Sequence, residues 1–149
     1  MEQKIYLGAD HAGFHLKEKL KLWLTKHHFS WQDLGNEIFD VTDDYPDFAE
    51  KVAKAVVRTK GFGLLVCGSA QGMCIAANKV KGVRASIPTS IKEARLTREH
   101  NDANILCLSG WDVGFHKATK VVEKFLITQF SGEERHVRRL EKIKNLEHI

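Results

Sequence analysis

The chain has 149 residues, 43% hydrophobic and 28% charged, with a formal net charge of +4. This is ordinary globular composition with length enough for a sizeable core, and it excludes a disordered or low-complexity chain. No apolar run approaches the ~20 residues that span a bilayer, and the three cysteines are odd in number and widely spaced, against a disulfide framework or a CxxC metal site.

The elements alternate along the chain. "MEQKIYLGAD" enters a strand almost at once and lacks a signal peptide's form, so a cytoplasmic protein without a membrane partner is expected. After the strand "KIYLGAD", Leu16, Leu20, Trp23 and Leu24 recur at helical spacing. "FSWQDLG" reads as a short second strand. Pro46 suits a helix's first turn, and Phe48, Ala49, Val52, Ala53 and Val56 give that helix one apolar face. "GLLVCG" is a continuous apolar run, the mark of a central strand covered on both sides. A helix over Gln71 to Asn78, a short strand "GVRAS", a helix through Ile91, Ala94 and Leu96, and the strand "ANILCLS" follow. A long helix carries Ala118, Val121, Val122, Phe125 and Leu126, and a last one Val137, Leu140, Ile143 and Leu146. Five strands alternating with helices predict one α/β domain over 1–149, a three-layer fold with a five-stranded parallel sheet. The last helix is thinly apolar; packing on its own sheet and packing on a partner subunit both stay open.

In such sheets ligands bind beyond the carboxyl ends of the strands. "CGSAQGMC" places small residues and two glycines between strand and helix, where backbone N–H groups can approach an anion. It is neither a Walker A loop nor a dinucleotide fingerprint, and a tight turn without a ligand is the alternative. Cys67 would sit at that helix's N-terminus, where the macrodipole lowers a thiol's pKa and readies it as base or nucleophile; by residue type alone a core cysteine is the better reading. Cys74 and Cys107 fit the core. Asp10 and His11 follow the first strand: Asp10 suits a cap or a substrate hydroxyl, His11 a phosphate or a proton. His100 and Asn101 end a helix. Arg135 and Arg139 stand four apart, as a phosphate clamp requires, though the interleaved glutamates also suit a solvated helix and argue against nucleic acid. Together these describe a pocket for proton transfer on a small phosphorylated substrate.

The stretches "GADHAGFHLK", "DYPDFA", "LLVCGSAQGMCIAANK", "REHNDANILCLSG" and "RHVRRLEKI" follow one another as in the type B ribose-5-phosphate isomerases, and the chain resembles that family over essentially its whole length. The resemblance implies a Rossmann-like fold, an aldose–ketose isomerase without metal or cofactor, a homodimer or homotetramer whose active sites combine two subunits, and a last helix that reaches its partner. It implies that Cys67 moves the proton between C1 and C2 through an enediolate, with the backbone of Gly68, Ser69, Ala70, Gln71 and Gly72 stabilising the oxygen. Asp10 would orient sugar hydroxyls, His100 with Ser69 would open the furanose ring, and Asn101 would contact the sugar. His11, Arg135 and Arg139 would hold the phosphate. Ala70 stands where the family often has glycine, and alanine would be strained there if φ is positive. Trp111 stands where many members carry an arginine, which leaves a six-carbon sugar phosphate, such as galactose 6-phosphate or allose 6-phosphate, as the alternative substrate. A nucleotide-binding module and a thiol redox sensor are weaker readings of the same residues.

Overall fold

The computed structural model describes residues 3–148. In chain order the elements are β1 (Ile5–Ala9), α1 (Phe14–Lys26), β2 (Trp31–Asp33), α2 (Tyr45–Thr59), β3 (Phe62–Cys67), α3 (Gln71–Ala77), β4 (Ala85–Ser86), α4 (Ile91–Asn101), β5 (Ile105–Ser109), α5 (Phe115–Ile127) and α6 (Glu134–Leu146). The five strands pair in parallel in the order β2-β1-β3-β5-β4.

The apolar run of β3 is explained by its place. All six residues are buried, because both faces of the strand are covered. Side chains alternate across the sheet: Leu64 and Val66 face the layer of α1 and α5 with Leu20, Leu24, Val122 and Phe125. Leu65 and Cys67 face the opposite layer with Val52, Ala53, Val56 and Met73 of α2 and α3. Cys67 is thus the last residue of a central strand and looks toward α3.

The sheet's edges are shorter than the sequence suggests. "GVRAS" yields only Ala85–Ser86, because side chains replace ladder partners there: Asn104 Oδ1 accepts the N–H of Arg84, and the Asn78 amide brackets Ala85, accepting its N–H and donating to its carbonyl. "FSWQDLG" yields only Trp31–Asp33. The helix after β3 ends at Ala77, one residue early. α4 is capped at its start by Ser90 Oγ, which accepts the Glu93 N–H, while Glu93 accepts the Thr89 N–H. α6 does not cover the sheet. It buries only His136, and it leaves Val137, Ile143 and Leu146 exposed.

Candidate active site

Chain order around the sheet reverses between β1 and β3, and a crevice opens beyond the carboxyl ends of strands at such a reversal. Asp10 and Cys67 flank this point. Ala9 pairs with Val66 in register, and the Asp10 N–H donates to the Val66 carbonyl at 3.3 Å. Asp10 Oδ1 accepts the Gly13 N–H at 3.1 Å and so closes the turn that leads into α1; the cap position itself falls to Gly13, without a side-chain cap, so Asp10 does not cap the helix. It is 6% exposed, and burial raises its pKa, with the Gly13 N–H and His11 opposing.

Gly68, Ser69 and Ala70 carry the chain from Cys67 into α3. The loop is held from the β5 side: Gly110 N–H donates to Cys67 O at 2.8 Å, Trp111 N–H to Gly68 O at 3.2 Å, and Ser109 Oγ to Gly68 O at 2.6 Å. Ala70 has φ 68° and is fully buried, so the strain foreseen for a left-handed alanine is present. Ser69 is exposed, and its Oγ accepts the Gln71 N–H at 3.4 Å. Gln71, also exposed, and Gly72 open α3. Two glycines of the loop are needed for close approach. A Cβ at Gly68 would stand 2.5 Å from the Trp111 ring, and one at Gly72 would stand 2.4 Å from the Tyr45 ring. Trp111 is otherwise 74% exposed and forms a wall beside the loop.

The thiol differs from the sequence expectation. The backbone N–H groups of Met73 and Ala70 do favour the thiolate, as a helix start should. Burial outweighs them, and the nearby Asp10 carboxyl adds to it, so the Cys67 pKa is raised rather than lowered. Cys107 is fully buried in the core, and the half-buried Cys74 donates its Sγ–H to the Ala85 carbonyl at 3.4 Å, which gives both a packing role.

One chain does not bring all the candidates together. His100 and Asn101 end α4, which runs antiparallel to the strands. They therefore lie at the amino edge of the sheet: Arg84 Nε donates to Asn101 O, and Gly63 N–H at the start of β3 donates to Asn104 O. Cys67 sits at the other edge, a strand length of roughly 16 Å away. α6 lies with the α4 end, since the His136 ring packs on His100 at 4.4 Å between centroids. Arg135 and Arg139 are exposed on α6, and Arg135 pairs with Glu133 at 2.8 Å. A cavity of about 780 Å³ lined by Asn78, Arg84, Asn101, Ile143 and Leu146 lies on this side, away from the thiol.

His136 went unnoticed in the sequence. It is 3% exposed, its Nδ1 lies 2.7 Å from Ser131 Oγ, and burial together with His100 and Arg135 lowers its pKa. No spacing rule marks it, because its partner is 36 positions away. Asp43 also went unnoticed; it bonds His11 Nδ1 at 2.8 Å. Donor atoms of Asp10, His11 and Asp43 lie within 4.8 Å of one another, the spacing a cation would need, but His11 and Asp43 are already joined to each other by hydrogen bonds.

The sequence profile of the ribose/galactose isomerase family matches residues 5–143. The chain is 45% identical over 145 residues to a Mycoplasma genitalium protein named probable ribose-5-phosphate isomerase B, covering 96% of this chain and 95% of that one. It is 37% identical over 139 residues to the Mycobacterium tuberculosis ribose-5-phosphate isomerase B, covering 93% and 86%. Among solved structures, ribose-5-phosphate isomerase B of Clostridium thermocellum superposes with a TM-score of 0.94 at 41% identity over 98% of each chain. The Mycoplasma genitalium enzyme with bound ribulose-5-phosphate does so with a TM-score of 0.94 at 43% identity, over 99% of this chain and 98% of that one.

Proposed function

The chain belongs to the ribose/galactose isomerase family, and from that premise we propose that it interconverts ribose 5-phosphate and ribulose 5-phosphate, a step of the non-oxidative pentose phosphate pathway. The observation that carries this is the near-complete superposition on an isomerase holding ribulose-5-phosphate. The site supports it chemically. Cys67 as thiolate takes the C2 proton of the open-chain aldose and returns it to C1, while a proton passes between the C1 and C2 oxygens through an enediolate. Backbone N–H groups over Gly68 to Gly72 stabilise the oxygen charge. Asp10 orients sugar hydroxyls, and His11 binds the phosphate.

His100 and Asn101 lie a strand length from Cys67 in the same chain, so the complete site is read as one formed between two copies. His100 and Asn101 of one copy then meet Cys67 and Ser69 of the other, with Arg135 and Arg139 closing on the phosphate. The exposed Val137, Ile143 and Leu146 of α6 give the copies an apolar face to share. The whole of 1–149 is read as one isomerase domain. No helix among the described residues is long and apolar enough to cross a membrane, which fits a cytoplasmic enzyme.

A coupled assay over ribose 5-phosphate, galactose 6-phosphate and allose 6-phosphate tests the reading. Turnover of the pentose is expected, with Cys67→Ala folded and inactive. Near-normal turnover by that variant, or preference for a hexose phosphate, would overturn it. Concentration-dependent sedimentation, read against specific activity, tests the shared site.

A further inference from the structure

The loop between β2 and α2 (residues 34–44) approaches the end of β1 and grips one imidazole. Asp43 Oδ1 accepts the backbone N–H of His11 at 3.0 Å and faces His11 Nδ1 at 2.8 Å. Asp43 Oδ2 accepts the Asn36 Nδ2–H at 2.5 Å. The Asp43 side chain is 8% exposed, whereas that of His11 is 37% exposed. Phe39 of the same loop stands edge-on to the His11 ring, at 6.4 Å between centroids. The loop is itself anchored from α1: the fully buried Lys17 donates to Asp33 Oδ2 and to the Asn36 carbonyl, at 2.5 and 2.9 Å. Asn36 directs its amide nitrogen to Asp43 although its Oδ1 is then buried without a partner among the described residues. Leaving an acceptor unsatisfied is unfavourable, and the bond to Asp43 is what that orientation secures.

We infer that Asp43 is a positioning residue of the isomerase, orienting the His11 ring through Nδ1–H and favouring the imidazolium, so that Nε2–H is presented as a phosphate-binding donor. The inference rests on the isomerase reading and on His11 meeting the phosphate. An ionised carboxylate only accepts hydrogen bonds, so a nitrogen facing it must carry hydrogen. The neutral imidazole then offers a bare lone pair at Nε2, which repels a phosphate oxygen. Only the imidazolium donates from both nitrogens. Asp43 therefore orients the ring and also favours the state that binds. Every charged group against the ring acts in the same sense. The Asp43 hydrogen bond raises the His11 pKa, partial burial opposes it, and the charges of Asp10, Asp43 and Asp40 add to the rise. Substrate affinity should weaken as pH rises through the raised His11 value.

The test uses the full chain in four forms: unaltered, Asp43→Asn, His11→Ala and the double variant, with Asp43→Ser as a second variant should the amide fold poorly. On ribose 5-phosphate at pH 7.5, Asp43→Asn should raise KM roughly tenfold, the loss expected for one hydrogen bond to a charged group, with kcat within about twofold. Its rise in KM with pH should begin at lower pH than in the unaltered chain. In the His11→Ala background the same change should alter KM by less than about twofold. An equal KM loss in that background, at unchanged melting temperature, would show that Asp43 serves only the loop and would overturn the inference. Nitrogen-15 NMR of the His11 ring needs no turnover. It should show the neutral ring protonated at Nδ1 and a titration moved down by Asp43→Asn; an Nε2–H neutral ring or an unmoved titration refutes the inference. Inactivity of the unaltered chain on every sugar phosphate would instead count against the isomerase reading.

Discussion

If Cys67 is the base, the pH dependence of turnover follows from where the structure puts it. The thiol ends a central strand at 4% exposure, beside the buried Asp10 carboxyl. Burial first, and Asp10 after it, hold its pKa above the ordinary 9.0, against the opposing influence of the Met73 and Ala70 backbone N–H groups. At pH 7 fewer than about one free enzyme in a hundred then carries thiolate. Each added pH unit below the pKa raises that population about tenfold, so kcat should climb with a logarithmic slope near 1 from pH 7 to 9. If His11 holds the phosphate, KM should worsen as pH rises through the raised His11 value, so the two parameters must be fitted apart. The assay is steady-state turnover of ribose 5-phosphate at saturating concentrations, run alongside substrate deuterated at C2, whose primary isotope effect shows that proton transfer limits the rate. In Cys67→Ser, Oγ faces the same Ala70 and Met73 N–H groups. The fold should lose about 1 kcal/mol and a few degrees of melting temperature, while kcat falls by roughly 10²–10⁴. A flat kcat profile with the isotope effect present, or a serine variant keeping more than about a tenth of the rate, would refute the thiolate as base.

Ala70→Gly removes about 1–2 kcal/mol of left-handed strain but also a buried methyl of about 0.8 kcal/mol and roughly 0.5–1 kcal/mol of chain entropy. Its melting temperature should therefore barely move, whereas Ala70→Val, branched at the same positive φ and without space, should lose roughly 3 kcal/mol in thermal or urea unfolding. Lys17→Met leaves Asp33 buried with only Lys21 and the Gly35 N–H as partners, and about 3 kcal/mol should be lost, or around 10 °C for a chain of this size. Burial alone would raise the Asp33 pKa; the bonds from Lys17 and Lys21 outweigh it and hold it below 3.8, so this stabilisation is full above about pH 5 and lost as pH falls through the depressed value, which acid titration of unfolding will show for the parent and less steeply for the variant. His136→Asn removes the ring packed on His100. Turnover of ribose 5-phosphate should fall several-fold, while that of a four-carbon aldose phosphate, which cannot close a furanose ring, stays unchanged; equal losses on both substrates would deny His136 a part in ring opening.

The periodicity of the chain was enough to define its layers. Strand-like and helix-like runs alternate because each strand of a parallel sheet needs a crossover, and the unbroken apolar run of "GLLVC" already marked β3 as central. Local chemistry also carried far: the turn that Asp10 closes onto Gly13 and the strain at Ala70 depend on residues within a few positions of one another, whereas the close approaches at Gly68 and Gly72 are set by the distant Trp111 and Tyr45. The edges were less legible, since the length of β4 depends on Asn78 and Asn104 side chains that take over its hydrogen bonds. Long-range contacts were not legible at all. Asp43 reaches His11 across 32 positions, and His136 reaches His100 across 36. The Cys67 pKa turned on a balance that spacing does not contain. A helix start acts through neighbouring N–H groups and can be read from a motif, but desolvation is set by every layer packed around the thiol. The same holds for the division of the site: the order of residues places His100 just before a strand and Cys67 at the end of another, and only the parallel pairing of β3 with β5 puts those two points at opposite edges of the sheet.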